Sequence, residues 1–410
     1  MPESTQDILF QPLTLPCGRV VKNRFFKSAM SEILGTEDNR PTEALVNLYK
    51  GWGKGGTGIL VTGNVMVDRK ALGEPRNVVM DTKDDLPMLS SWAEAGKKEG
   101  SEIWVQLNHP GKQSPKNLSP KPVAPSAIPL HPGLQRFFAR PKALEEGEIM
   151  GIIAAFARSA GIAKKAGFTG VQIHAAHGYL ASQFLSPLHN QRKDAWGGSL
   201  ENRMRFLMEV YRGIRKEVGL DFPVGVKLNS GDFRKEGYHP EEAAEVAAAL
   251  AAEGLDLLEI SGGSYEKPVM MSGVPGGSEG YFLEYARKVR QMTTIPLVVT
   301  GGFRTASGMV AALASGNTDM VGLGRPMVLD PSLPLHIAGD KGMAYKSSVT
   351  PKSTGIAAVD NIAMLEITWY ERQMGYLAKG QKPRPHENVW ASIIKMLLAD
   401  GITRFRRRRS

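Results

Sequence analysis

From about residue 20 to 330 the chain alternates short, β-rich apolar runs with longer amphipathic stretches rich in Ala, Glu and Lys. The apolar runs fall at 25–30, 58–67, 102–107, 170–173, 224–228, 257–260, 297–300 and 320–322. Helical periodicity occupies 43–54, 84–99, 147–166, 200–218, 240–253, 282–292 and 305–315. Strict alternation predicts an α/β fold with a parallel sheet, because parallel neighbours need a long crossover that a helix supplies. Eight such units predict closure into a (β/α)8 TIM barrel rather than an open sheet.

Two stretches break the rhythm, and both follow strands. Residues 108–146 are rich in Pro, Lys and Ser and too long for a routine connection, which predicts an excursion over the barrel mouth. Residues 261–280, SGGSYEKPVMMSGVPGGSEG, predict a flexible Gly-rich loop. Loops after strands build the C-terminal face, where barrel enzymes place their sites. Beyond Pro334 the pattern loosens, with helices expected at 357–377 and 388–398. The expected organisation is a barrel domain over 1–340, with the excursion 108–146, and a C-terminal helical extension with a basic tail over 341–410.

Composition narrows the chemistry. Cys17 is the single cysteine, which excludes an intrachain disulfide and a cysteine-held iron–sulfur cluster. The first residues are polar and acidic, and no run of 18 apolar residues occurs, so a cytoplasmic protein without a membrane span is expected. The net charge of +10 owes much to Arg404, Arg406, Arg407, Arg408 and Arg409. These read as a solvated tail, or alternatively as a contact for an anionic partner such as a phosphorylated cofactor or a nucleic acid.

Gly51, Gly53 and Gly56 satisfy G-x-G-x-x-G, but a helix precedes them and the strand GILVTGNV follows. Dinucleotide binding needs the reverse order, so these glycines predict a helix C-cap and turn. Two other glycine sites have the right context. Thr300-Gly301-Gly302 ends the seventh strand and Gly322-Leu323-Gly324-Arg325 the eighth. Glycines there let backbone N–H groups approach an anion, and an arginine adds a charge-assisted contact, so a phosphate site is expected.

At the end of the fourth strand stand His174, His177 and Tyr179. Two imidazoles there can donate to one oxygen and polarise a carbonyl, and a neighbouring phenol can supply a proton. The bland alternative is a pair of satisfied core histidines. A lone H-x-x-H offers two ligands with no third at convincing spacing, so no metal is expected.

The stretch HAAHGYLASQFLSPLHNQRKDAWGGSLENRMRF is similar to the signature of the Old Yellow Enzyme family of NAD(P)H:flavin oxidoreductases. The likeness covers about residues 8–335. Lys22-Asn23-Arg24 with Ser28-Ala29-Met30-Ser31 resembles the family's first-strand flavin segment, and Gln106-Leu107-Asn108-His109 with Gly111 its third-strand glutamine motif. The glycine motifs after strands seven and eight resemble its phosphate cup.

The resemblance implies FMN as cofactor, NADPH or NADH as hydride donor, and a small-molecule enone or related electrophile as substrate. It implies that Ala29, Met30 and Ser31 line the isoalloxazine, that Gly63 faces the ring, and that Gln106 hydrogen-bonds its pyrimidine. Lys227 would sit near N1, and Gly301, Gly302, Gly324 and Arg325 would hold the phosphate. His174 and His177 would grip the substrate oxygen, and Tyr179 would protonate the α-carbon after hydride transfer from N5 to the β-carbon.

Three positions depart from the family's pattern. Lys227 stands where arginine is frequent and loses the planar fork, Ser31 where threonine or cysteine is frequent, and Trp196 where tyrosine is common. The iron–sulfur dienoyl-CoA reductase branch needs a cysteine cluster that this chain lacks. A flavin barrel acting on tRNA is a second alternative, but it uses a cysteine as acid, and Cys17 precedes the first strand. A third is a barrel that keeps FMN as a structural ligand without turnover. Nucleic acid is not expected as a partner, and a homo-oligomer is left open.

Overall fold

The computed structural model describes residues 5–267, 279–347 and 364–391, together with 354, 356 and 394. Eight strands form the centre: β1 (Phe25–Lys27), β2 (Ile59–Met66), β3 (Glu102–Asn108), β4 (Gly170–Ala175), β5 (Val224–Asn229), β6 (Leu257–Ser261), β7 (Leu297–Thr300) and β8 (Met320–Leu323). Each pairs in parallel with the next. The ring closes where Leu323 of β8 pairs with Lys27 of β1. The (β/α)8 TIM barrel expected from the alternation is the fold, and each of the eight apolar runs contributes one strand. Strands covered by helices outside and by side chains inside are buried on both faces, which is why they read as continuous apolar runs.

Seven helices follow in turn: α1 (Glu43–Lys54), α2 (Leu86–Lys97), α3 (Glu146–Ala166), α4 (Leu200–Val218), α5 (Pro240–Ala252), α6 (Leu283–Met292) and α7 (Ala306–Ala314). Each turns an apolar stripe to the ring; in α1 it is Leu45, Leu48, Tyr49 and Trp52, three or four residues apart. The G-x-G-x-x-G glycines occupy the last turn of α1 and the turn after it, as a C-cap and not a nucleotide loop.

The end of the barrel where the strands begin is sealed. Leu13–Thr14 pairs antiparallel with Val20–Val21. This hairpin's Leu15 and Val21 join Phe26, Ile59, Val61, Trp104 and Leu257 in an apolar plug. The indole of Trp104 fits inside because Gly170 lacks a side chain: a Cβ there would lie 2.5 Å from Nε1. Cys17 belongs to this end, its N–H donating to Oδ1 of Asp256 at 2.9 Å. Burial pushes its thiol up to about 11.

The opposite end is built from the loops. The excursion is stapled by pairing of Val123–Ala124 with Lys142–Ala143 and by a bridge from Pro115 to Phe138. It leans on the β6 loop, where the His131 N–H donates to Oε1 of Glu266 at 2.6 Å. A buried helix, Leu180–Leu185, follows Tyr179 at once. Near the C-terminus, α8 (Met364–Leu377) packs on α1 and on the short helix Arg325–Leu329. Residues 268–278 of the Gly-rich loop, 357–363, most of the second C-terminal helix and the arginine tail lie outside the described residues. No described helix is long and apolar enough to cross a membrane.

Candidate active site

A cavity of about 250 Å³ opens at the C-terminal face, bounded by residues from every strand or the loop after it. That is several times the roughly 30 Å³ share of one water in the liquid, so the space suits an organic ligand rather than a lone ion. Among the described residues no cluster of metal-ligating side chains occurs.

The floor is a continuous polar network. Gln106 Nε2 donates to Gln172 Oε1 at 2.7 Å, and Gln172 Nε2 donates to Glu259 Oε2 at 2.8 Å. The other Glu259 oxygen accepts from Thr300 Oγ1 at 2.7 Å and lies 3.1 Å from Lys227 Nζ. Ser28 Oγ completes the chain 2.8 Å from Thr300 Oγ1. Strand register makes this possible: Gln106 is opposite Gln172, and Lys227 lies between His174 on one side and Glu259 on the other. The buried charges are paired and hydrogen-bonded, as a low-dielectric interior requires.

Behind the segment 28–32 lies a second buried group. Lys27 Nζ donates to the Val61 carbonyl at 2.7 Å and to the Tyr49 hydroxyl at 3.0 Å, 4.2 Å from the centre of a Trp52 ring. Burial pushes this ammonium down to about 8. Glu32 accepts from the Tyr49 hydroxyl and the Gly63 N–H. This pins the turn carrying Ala29, Met30 and Ser31 into the cavity.

The histidines and Tyr179 form one wall. The ring centre of His174 is 5.0 Å from that of His177 and 4.8 Å from that of Tyr179, both edge to face. His174 Nδ1 accepts from the Ala176 N–H at 3.2 Å, which places its proton on Nε2. His177 has a left-handed backbone, φ 60°, held by Asn229 Oδ1 accepting from its N–H at 3.0 Å and by Gln113 Nε2 donating to its carbonyl at 2.9 Å. Its Nε2 sits 2.8 Å from Ser261 Oγ. Burial, with repulsion from Lys227, holds both imidazoles far below the ordinary histidine range, so they are neutral donors. Burial also pushes the Tyr179 phenol upward, keeping its proton in place.

The other end suits a phosphate. Gly301 and Gly302 carry φ of 129° and 90°, a conformation L side chains rarely adopt, and a Cβ on Gly302 would lie 2.8 Å from the Tyr281 ring. Arg325 opens a short helix and pairs with Glu366 of α8. Arg304 also lines the cavity, and burial followed by repulsion from Arg325 lowers its basicity. Two arginines on one wall beside backbone N–H groups form a donor set for a dianion. With amide and ammonium donors at the other end, the arrangement fits a phosphorylated ring system such as FMN.

Of the sequence-derived candidates, Ala29, Met30, Ser31, Gln106, His174, His177, Tyr179, Lys227, Gly301, Gly302, Gly324 and Arg325 all line this cavity. Gly63 does not. It sits in a β2 bulge with its N–H turned to Glu32, and a Cβ there would lie 2.5 Å from the Met30 carbonyl. The bulge re-aims the next residue, Asn64, into the cavity. Asn64, Glu74, Tyr265, Thr300, Arg304 and Glu366 are lining residues that sequence reasoning missed. Arg304, two residues past the Gly301-Gly302 pair, is the one with a local signal. Cys17, the acid a tRNA-directed flavin barrel would need, lies at the sealed end.

A flavin-dependent oxidoreductase on a (β/α)8 barrel is the class that this fold and donor set define. The profile of the NADH:flavin oxidoreductase / NADH oxidase family matches residues 8–342, and the chain belongs to that family and to its Old Yellow Enzyme branch. FMN and a nicotinamide are its cofactors. The NADH-dependent flavin oxidoreductase iliE of Hypocrea jecorina (strain QM6a) is 37% identical over 396 residues, 90% of this chain and 95% of that protein. Morphinone reductase superposes with a TM-score of 0.72 at 27% identity, over 84% of this chain and 92% of that one. The old yellow enzyme homologue from Zymomonas mobilis gives 0.70 at 26% identity, over 80% and 92%.

Proposed function

We propose that the chain reduces the activated C=C bond of an α,β-unsaturated carbonyl or nitro compound. The observation that carries this reading is the wall formed by His174, His177 and Tyr179: two neutral imidazoles and a firmly protonated phenol on one face of the cavity. FMN would be held by Gln106 and Lys227 at its pyrimidine end, by the 29–31 segment along the ring, and by Gly301, Gly302, Gly324, Arg304 and Arg325 at its phosphate. When bound, FMN accepts hydride from the nicotinamide and supplies it to the substrate.

The chain's own residues do the rest. His174 and His177 donate to the substrate oxygen and stabilise the negative charge that develops there, an effect worth about 3–4 kcal/mol for a well-placed donor. They act without reorganising, because the Ala176 N–H fixes the His174 ring, Ser261 the His177 ring, and Asn229 the His177 backbone. Tyr179 holds a proton for the carbon next to the carbonyl. Lys227, charge-balanced by Glu259, offers positive charge at the ring's pyrimidine end.

Product analysis tests the reading. Protein loaded with FMN and given NADH or NADPH should convert 2-cyclohexenone to cyclohexanone. Formation of the allylic alcohol, or nicotinamide oxidation without saturated ketone, would count against it.

A further inference from the structure

The hydroxyls of Tyr179 and Tyr265 lie 3.1 Å apart, and their rings meet edge to face with centres 6.0 Å apart. Tyr265 comes from the loop after β6. That loop is clamped to the histidine segment: Ser264 bridges His177, and the Gln113 side chain contacts both the Tyr265 N–H and the His177 carbonyl. Phe138 of the excursion backs the Tyr265 ring at 6.1 Å. The second phenol is therefore held in a set place in the cavity wall.

A proton donor in this position has an electrostatic problem. When Tyr179 gives up its proton, negative charge appears on an oxygen buried among apolar and neutral groups, which is costly unless hydrogen bonds compensate. His174 beside it is neutral. Glu74 also acts on the phenol, and the sign of its charge makes ionisation harder. Among the described residues two side chains reach the Tyr179 oxygen: the Tyr265 hydroxyl, in a pair where either oxygen can donate, and Asn64, whose Nδ2 donates at 3.4 Å. An amide can stabilise the charge but gives up its proton far too reluctantly to replace the lost one. A phenol can do both.

We propose that Tyr265 acts through Tyr179 as a proton-relay and positioning residue. As the Tyr179 O–H bond breaks and its proton joins the substrate carbon, whose electron pair forms the new C–H bond, the Tyr265 O–H bond breaks and its proton restores Tyr179. The Tyr265 oxygen then takes a proton from a solvent water at the cavity mouth. No electrons change hands in these steps, and the net proton comes from water. Two protons in motion, rather than one, distinguish this arrangement from a lone Tyr179.

The inference rests on Tyr179 as the proton donor, so both residues are tested in one series. The FMN-loaded wild type, Y179F and Y265F are reduced with NADH and mixed anaerobically with 2-cyclohexenone in mixtures of light and heavy water. Flavin content and Tm establish folding; Y265F keeps the ring and removes one oxygen. The readout is the enone-dependent reoxidation rate divided by the rate of reduction by NADH. Y265F should lower this ratio at least tenfold, and its rate should fall linearly with deuterium fraction, whereas the wild-type plot bows downward. An unchanged ratio in Y265F alongside a slow Y179F overturns the relay while leaving the Tyr179 reading intact. An unchanged ratio in Y179F overturns that reading itself. A lowered Y265F ratio with the wild-type curvature retained makes Tyr265 a packing residue and also overturns the relay.

Discussion

Lys227 and Glu259 are register partners across β5 and β6, and their side chains meet with Nζ 3.1 Å from Oε1, both buried. The pair joins the donor expected at the flavin to a carboxylate that offsets its charge. Removing that carboxylate's charge, with the amide isostere kept, leaves the ammonium uncompensated beside the cofactor. Glu259→Gln should therefore raise the reduction potential of the bound flavin by a few tens of millivolts, about 30 mV for each tenfold gain of the reduced form in a two-electron couple. Lys227→Met should lower it. Potentiometric titration reads both, and a fall in Glu259→Gln would contradict the assignment.

The phosphate end makes a prediction that separates two ligands. Arg325→Ala or Arg304→Ala should weaken FMN binding about 10- to 100-fold, the loss expected for a hydrogen bond to a charged group. Binding of riboflavin, which lacks the phosphate, should change little. Glu366, which pairs with Arg325, competes for the same guanidinium. Glu366→Gln should tighten FMN binding and leave riboflavin alone. Quenching of flavin fluorescence gives all of these constants.

Simple phenols mimic an enolate oxygen, so His174→Ala and His177→Ala should each weaken phenol binding by about 1.5–3 kcal/mol. Both imidazoles are held neutral by burial far below the ordinary range. Phenol affinity between about pH 6 and 9 should then follow the ligand's own ionisation, without a histidine step near 6.5. A titration step there that disappears in either variant would contradict neutral donors.

A pH effect on stability follows from His109, whose ring accepts from the Gly111 N–H and which burial pushes down to about 4. The unfolded chain protonates this group near 6.5 while the folded chain keeps it neutral. Below 6.5 the unfolded state therefore binds more protons, and stability falls as pH drops toward about 4. His109→Asn should reduce the loss between pH 7 and 5 by up to about 2 kcal/mol. Denaturant unfolding at the two pH values measures it; an equal loss in both proteins would contradict the shift.

Much of the fold was legible because a strand buried on both faces has no choice but to read as an apolar run. His174, His177 and Tyr179 were legible for a different reason: they crowd into six residues at a strand end, so sequence spacing stands in for space. Glu259 shows what stays hidden. It is the single charge in the strand LLEIS, and its meaning comes from its register with Lys227 and its reach to Gln172 and Thr300. Asn64 points into the cavity because of a bulge that apolar patterning does not mark, and Gly63, one residue earlier, is turned away by the same bulge. Tyr265 and Glu366 arrive from a loop and from the C-terminal helix, at distances along the chain that no local motif spans.

The central claim is that hydride reaches the β-carbon from the flavin and the proton reaches the α-carbon through Tyr179. A pair of anaerobic single turnovers, one in light and one in heavy water, tests it most directly. Protein reduced beforehand with deuterated NADH in light water transfers label to the flavin; protein reduced with ordinary NADH and exchanged into heavy water exposes the proton donor. With 2-cyclohexenone added, the first should yield cyclohexanone labelled at the β-carbon, apart from any label lost to solvent exchange at the flavin. The second should yield label at the α-carbon, beside any β-label from flavin hydrogen exchanged with the heavy water, and should form it slowly in Tyr179→Phe. Reduced flavin that persists in the presence of the enone, or α-labelling at full rate without Tyr179, would contradict the account.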